Sequence, residues 1–459
     1  MVMHRLLSLL ARALCAFALL GWGTPAAAQR PLAPNGGAAA PSSTPARVPP
    51  LTLGMLLIAV RDGHPTIQSA LARVRAAEGM RATAGRLGNP VLSYQTENTT
   101  FLAGSVVGID RETMEMATLP LEPIYLRGSR VARASAEVRA ARADAERERQ
   151  HVGLDAAGMF YRVALARITS ETDHDLVAWL DSLVAYNRVR AREGVAAEAD
   201  LLRVSLERDR AAAEATMADA ELAQASAQLA AALGASAANG QLDVIAGEAP
   251  LALTARADAR VANDRALESA LALRSDVRAA RERETAAAAG ISTERRMLFR
   301  EAGATLGIKQ MMGTNSMVAG LSLPFPLFDQ NRGEVARATA ERDVARFDLA
   351  AQERLATADV AGAFAAARLL SARAGTLSRP GPDGLLARAD EMRRIALGAY
   401  QEGAIPLVQV LDAARAWGET RLTYYRTLYA QHQAVLALIV ATGGDLYTAP
   451  LTPTSGPSR

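Results

Sequence analysis

Residues 127–193 read RGSRVARASAEVRAARADAERERQHVGLDAAGMFYRVALARITSETDHDLVAWLDSLVAYNRVRARE. The run holds no proline, and its only glycines are Gly128, Gly153 and Gly158. A single helix over this run is on the order of 100 Å long at about 1.5 Å per residue. No compact globular domain needs such a rod. Gly194 breaks it, a return helix runs from about Glu198 to Leu233, and Gly234 closes that. A long helical hairpin therefore sets the fold class: mainly α, built from coiled-coil hairpins.

Upstream, order begins near Thr52, which is placed to cap a short helix. His64-Pro65 restarts the chain, with Pro65 suited to the first turn of a helix reaching about Leu87. Gly88 and Asn89-Pro90 stop it. The next segments alternate with period two. In Val91–Glu97, Leu92 and Tyr94 are apolar while Ser93, Gln95 and Glu97 are polar. A second strand over Arg111–Leu121 sets Met114 and Met116 against Thr113 and Glu115, and Pro120 and Pro123 end it.

The pattern then repeats. Residues 235–263 are mixed and glycine-containing, the composition of a linker. A helix spans about Asp264–Leu298. Strands follow at Ala302–Lys309, with Ala304, Leu306 and Ile308 on the apolar side, and at Met317–Leu323, with Met317, Ala319, Leu321 and Leu323 on one face. Met311-Met312 falls in the loop between these two strands. A long helix begins near Arg332, is interrupted at Arg379-Pro380-Gly381-Pro382-Asp383-Gly384, and resumes to Glu402. After Gly403 the last helix runs from about Pro406 to Thr442. Local matches support an internal duplication of roughly 205 to 210 residues. Leu119-Pro120 matches Leu323-Pro324, and Val131-Ala132-Arg133-Ala134 matches Val335-Ala336-Arg337-Ala338. Glu193-Gly194 with Leu201-Leu202 matches Glu402-Gly403 with Val410-Leu411. The repeats are 51–234 and 264–444, and 445–459 reads as a disordered tail.

Composition fits this scheme. The chain is 50% hydrophobic but only 4% aromatic, so small side chains carry the apolar content and favour closely packed helices. Lys+Arg is 51 against 48 for Asp+Glu, and Lys309 is the sole lysine. This even mixture argues against nucleic acid as partner, which needs a one-sided basic patch. Residues 1–28 read as a cleavable signal peptide: His4, Arg5 and Arg12, then apolar Leu14–Trp22, then Ala26-Ala27-Ala28. A membrane anchor is the alternative, although the run is shorter than the roughly 20 residues that span a bilayer. Residues 29–50 form a Pro/Ala-rich leader. The one cysteine, Cys15, lies in the apolar run. It invites a lipoprotein reading, which Leu14 before it disfavours, and leaves the mature chain without a thiol.

Strands of roughly 8 to 11 residues match the length that crosses an outer membrane when tilted. An apolar and a polar face on each suits a barrel with lipid outside and water inside; two ordinary hairpins packed on the helices are the alternative. Four strands cannot close a pore, and open edges in lipid leave backbone groups unpaired at several kcal/mol each. Spanning barrels begin at about 8 strands, so closure calls for at least two chains, with three favoured for an open pore. Leu422, Tyr425, Tyr429, His432, Leu436 and Ile439 follow an alternating 3,4 spacing, a coiled-coil seam, and Leu222, Leu229 and Leu233 give a shorter one.

This order of elements resembles the TolC-type outer-membrane efflux family across the mature chain. Leu51–Pro65 is similar to its opening helix and restart, and Gly85–Leu92 to the approach to its first strand. Gly320-Leu321-Ser322-Leu323-Pro324-Phe325-Pro326-Leu327-Phe328-Asp329-Gln330-Asn331-Arg332-Gly333 is the most specific motif, and it most resembles the CzcC-like heavy-metal branch. The resemblance implies a homotrimer whose chains share a transmembrane β-barrel and a trimeric α-barrel across the periplasm. It also implies a periplasmic adaptor (membrane fusion) protein and an inner-membrane RND-type pump as partners, with outer-membrane lipid around the barrel and passive conduction of heavy-metal cations. Glu193, Gly194, Glu402 and Gly403 become periplasmic tips that contact the adaptor. Pro120, Pro123, Pro324 and Pro326 become barrel-to-helix transitions. The family's paired gate carboxylates fall on Gln409 and Asp412, the first a departure, with Asp200 as the counterpart in the first repeat. A solvated helix residue is the plainer reading of Asp412.

No P-loop, dinucleotide fingerprint or nucleophile elbow occurs, so no enzyme and no cofactor is expected. His174 with Asp173 and Asp175, and Met311-Met312, are weak cation candidates, and no metal site is assigned. The rival readings are a drug or type I protein-secretion channel of the same fold and a periplasmic coiled-coil adaptor or scaffold.

Overall fold

A computed structural model describes residues 50–100, 104–105, 111–195, 197–234, 244–247, 249–251 and 264–448. They belong to one compact unit, Val48–Arg459. The segment read as a signal peptide, with Cys15, nearly all of that read as a leader and most of that read as a linker lie outside the described residues.

Helix α1 (Leu53–Gly63) starts where Thr52 Oγ1 accepts a hydrogen bond from the Met55 amide at 3.4 Å. Its buried Leu56, Leu57 and Val60 pack on the long helix. His64 Nδ1 accepts from the Thr66 amide at 3.3 Å and Pro65 takes the first turn of α2 (Pro65–Ala84), which ends three residues before the expected Leu87. Strand β1 (Val91–Glu97) follows, then a two-residue pair, β2 (Thr99–Thr100) with β3 (Gly104–Ser105), that alternation did not reveal. After β4 (Glu112–Pro120), helix α3 (Glu122–Arg192) runs 71 residues, about 105 Å at 1.5 Å per residue. It starts five residues before the expected Arg127, because Pro123 occupies its first turn instead of ending a strand. Helix α4 (Glu198–Ala232) returns along it. Buried Ala136, Ala140, Ala143, Ala156, Ala157 and Ala164 let neighbouring helices approach α3 closely.

The second half repeats the order with two breaks. The helix expected over 264–298 divides into α5 (Asp264–Leu273) and α6 (Ser275–Arg296), because Arg274 is extended. Strands β5 (Gly303–Met311) and β6 (Thr314–Ser322) join through Met312 and Gly313 alone, both at positive φ (51° and 75°), as a type I′ hairpin demands. The expected loop holding Met311-Met312 is therefore a strand end plus one turn position. Helices α7 (Arg332–Leu377), α8 (Leu385–Gln401) and α9 (Leu407–Ala441) complete the chain. Among the described residues α7 alone is long and apolar enough to cross a membrane, with a mean hydropathy of 1.3 in its best window. Alanine produces that value, and α7 packs along α6 and α9.

The main core lies midway along α3, where Phe160 and Tyr161 meet Leu222 and Leu229 of α4 and Tyr429, His432, Leu436 and Ile439 of α9. The α9 seam thus packs on its own chain. Residues 445–448, expected as the start of a disordered tail, are docked there too. Leu446 is fully buried, its amide donates to Gln150 Oε1 at 3.0 Å, and Tyr447 Oη donates to the Arg149 carbonyl at 2.8 Å. The linker is also tied down in part. Val244 forms a parallel bridge with Leu51, Gln431 exchanges two hydrogen bonds with the Leu251 backbone (2.7 and 3.0 Å), and His432 Nε2 donates to the Ala249 carbonyl at 3.0 Å.

The four longer strands form one antiparallel sheet in the order β1-β4-β5-β6. Register fixes which residues share a face. Leu92, Ala117, Leu306 and Ala319 align in one row, and Tyr94, Glu115, Ile308 and Met317 in the next. Across these two rows the face is apolar apart from Glu115, and it is open, with Leu92 81% and Met317 79% exposed; the next row toward the Met312-Gly313 turn, Thr96, Thr113, Gln310 and Asn315, is polar. The opposite face carries Ser93, Gln95, Glu97, Glu112, Thr118, Thr305, Lys309 and Ser316. Met114 and Met116 stand on this polar side, contrary to the phase their hydrophobicity suggests. Alternation gives two faces but not which one faces out; Leu119 and Ala117 keep β4 in step with Leu92 and Leu306. Met116 also covers Gly307, where an added Cβ would lie 2.5 Å from the Glu115 carbonyl and 2.7 Å from Met116 Cγ.

Candidate functional site

Two chain reversals meet at one end of the helices. Gly194 (φ 74°) and Gly403 (φ 79°) occupy the left-handed conformation that caps a helix. Around them the Val195 amide donates to the Arg190 carbonyl at 2.9 Å, and the Ala404 amide to the Ala399 carbonyl at 2.8 Å. These matched turns lead through extended Ala197 and Pro406 into α4 and α9. A groove between them is lined by Tyr186, Val189, Arg190, Glu193, Val195 and Glu402. Glu193 and Glu402 are exposed beside it.

A polar lock holds the two turns together. Asn187 is fully buried; its side-chain amide donates to the Leu183 carbonyl at 2.9 Å, and its Oδ1 accepts from Tyr400 Oη at 2.5 Å. The Arg190 guanidinium lies 5.5 Å from both the Tyr186 and Tyr400 rings. Leu180, Leu183, Val204, Leu407, Val410 and Leu411 enclose the pair. One helix further, Trp417 Nε1 donates to Asp390 Oδ1 at 2.6 Å beneath Arg393, 3.9 Å above the ring. Sequence reading missed Asn187, Tyr400 and Trp417. The signal available was a rare aromatic in an alanine-rich helix, which carries no partner with it.

Gln409 and Asp412 lie exposed on one face of α9, three residues apart. Asp412 is not a bare charge: Arg415 sits 3.6 Å from it and also pairs with Glu207 of α4. Asp200 occupies the first turn of α4, where the helix dipole favours a carboxylate. Among the described residues no hydrogen bond or ion pair joins Asp200, Gln409 and Asp412 to one another.

The transition prolines divide by position. Pro120 is the last residue of β4 and Pro123 belongs to α3, while Pro324 and Pro326 lie between β6 and α7. The motif they introduce closes on Asn331, a buried residue at φ 56°. Its side-chain amide donates to the Glu294 carbonyl at 2.7 Å, and its Oδ1 accepts from Arg300 at 2.5 Å, tying the start of α7 to the end of α6.

The weak cation candidates disperse. His174 pairs with Asp219 at 3.0 Å and Asp175 with Arg421 at 3.0 Å. Burial, with Glu214 nearby, raises the Asp173 pKa. Among the described residues no group of three His, Cys, Asp or Glu side chains gathers to hold a metal.

Residues 266–444 match the family model described as outer membrane efflux protein. The cobalt-zinc-cadmium resistance protein CzcC of Cupriavidus metallidurans is 25% identical over 150 residues, 32% of this chain and 35% of that protein. The match thus spans about a third of that curated relative. Solved structures align over far more of the chain. The outer membrane protein VceC of Vibrio cholerae superposes with a TM-score of 0.69 at 19% identity, covering 86% of this chain and 96% of that one. CusC gives 0.68 at 18%, covering 86% and 92%. The open state of the MtrE outer membrane channel of Neisseria gonorrhoeae gives 0.65 at 17%, covering 86% and 89%. At such identities the likeness establishes the fold.

Proposed function

We propose that this protein, whose residues 266–444 match the outer membrane efflux protein family and whose fold is that of such channels, is the outer-membrane channel subunit of a tripartite efflux system. Three copies share one β-barrel in the outer membrane and one helical tunnel in the periplasm. Substrate passes outward passively, and an inner-membrane RND-type pump, joined through a periplasmic adaptor, supplies the energy.

The observation that carries this reading is the open sheet. Among the described residues its outer strands β1 and β6 each leave one edge unpaired, and the face bearing Leu92, Tyr94, Leu306, Ile308, Met317 and Leu321 stands uncovered. In water both features are liabilities. In a bilayer the apolar face has its solvent, and the edges of β1 and β6 are satisfied by neighbouring copies. The groove at Gly194 and Gly403 is the adaptor contact in this reading. Asp412, with Gln409 and Asp200 nearby, lines the periplasmic entrance.

For the substrate we favour heavy-metal cations such as cobalt, zinc and cadmium, or copper and silver. Similarity to a cobalt-zinc-cadmium resistance protein and the Pro324–Gly333 motif support this choice. The experiment is isolation of outer membranes and assay for a detergent-stable trimer, followed by deletion of the subunit and scoring of metal tolerance. A trimer and lost tolerance are expected. A water-soluble monomer overturns the channel reading, and unchanged tolerance with increased drug sensitivity moves the substrate to drugs. At the entrance, Asp412→Asn should reduce cation selectivity of the reconstituted pore; an unaltered ratio removes Asp412 from the gate.

A further inference from the structure

The polar face of the sheet carries its charges at one end. Among the described residues of the four longer strands, Glu97, Glu112 and Lys309 are the charged side chains on that face. Glu97 and Glu112 are cross-strand partners on β1 and β4. Lys309 of β5 reaches diagonally to Glu112, Nζ to Oε2 at 2.6 Å. Gln95 Nε2 donates to Glu97 Oε1 at 3.2 Å, holding that carboxylate against the wall. All three residues lie in the half of the sheet next to the Met312-Gly313 turn, away from the helices.

Lysine is otherwise absent from this chain, where arginine supplies every other cation. A lysine ammonium is a compact point charge, and here it compensates one carboxylate of the two. Among the described residues one net negative charge per chain remains on the polar wall. If the sheet closes with two more copies, as proposed above, symmetry repeats it three times around one axis. The polar face must then line the water, because the apolar face needs the lipid. Charges of one sign around a narrow aqueous passage favour the counter-ion.

We propose that Glu97, Glu112 and Lys309 form a charged ring near the outer mouth that sets the pore's preference for cations, with Lys309 as the residue that limits it. This rests on the trimeric channel reading and concerns a place distant from Asp412. The ring acts on the passing ion through its field and does not bind it: each carboxylate already has a partner within the wall. Arg111, one residue before β4, is in phase with the opposite face.

The test is single-channel recording of the full chain in planar lipid bilayers, with reversal potentials read in asymmetric potassium chloride. Lys309→Gln should raise the potassium-to-chloride permeability ratio by about twofold or more, since the field of the ring reaches about one Debye length of 8–10 Å into the water. Glu97→Gln should lower the ratio toward unity. Lys309→Arg should leave it unchanged, separating charge from side-chain shape. Should Lys309→Gln fail to assemble, exposed Glu97, which makes no ion pair among the described residues, carries the test alone. Trimers of wild-type conductance with unaltered ratios in both Gln variants overturn the ring and leave the channel standing. A wild-type protein that gives no conductance steps overturns the channel reading, and the ring with it.

Discussion

Tyr400 and Asn187 show how much one buried hydrogen bond can hold. The Asn187 side chain is sealed among Leu180, Leu183 and Val410, so its Oδ1 has no route to water. Tyr400→Phe deletes the donor and leaves that oxygen unpaired, which should cost about 1–3 kcal/mol. Denaturant unfolding checks this, and a double-mutant cycle with Asn187→Leu should return part of the loss, because an apolar pair needs no partner. Neither residue announced itself in the sequence. Each sits in a helix that reads well without it, and the helices that bring them together come from different repeats. Asp412 is the opposite case: its place near a turn is legible in the sequence, while the Arg415 pairing that also engages Glu207 comes only with the fold.

At the scale of elements, the sheet depends on the close approach of β4 and β5. Gly307→Val should separate these strands, since any Cβ there lies 2.5 Å from the Glu115 carbonyl and 3.0 Å from Met116 Cα. Loss of the trimer band on unheated gels is the expected outcome. Gly320→Ala is the control, because its Cβ meets only Thr305 Cβ at 3.9 Å, and the band should persist. The helical reversals were legible from Glu193-Gly194 and Glu402-Gly403 alone, since glycine is the residue that reaches positive φ without strain. Pro123 sits at a strand-to-helix passage, as expected, but opens the helix rather than closing the strand, because proline both ends strands and begins helices. Only the position of Glu122 in the first turn of α3 distinguishes the two.

Across the whole molecule, acid should loosen the joint between the bundle and its linker. Burial holds the His432 pKa below its ordinary value, although the hydrogen bond to Ala249 opposes this. Its Nδ1 is buried with no hydrogen-bond partner among the described residues. The unfolded chain therefore takes up the proton first, near pH about 6.5, and stability falls as the pH drops below that value. Thermal unfolding at successive pH values should show the decline setting in below about pH 6.5. His432→Gln, which keeps a donor for Ala249, should flatten it. A decline of equal size in the variant would assign it to other groups. By itself the sequence determined the helical rods, their reversals and the twofold repetition, because proline, glycine and period are local properties that act on the nearest few residues. The tertiary structure alone decided the phase of β4, the Asn187–Tyr400 lock, the docking of Leu446 and the grouping of Glu97, Glu112 and Lys309. Each of these depends on which surfaces meet, and surfaces far apart in the chain leave no periodic trace of one another.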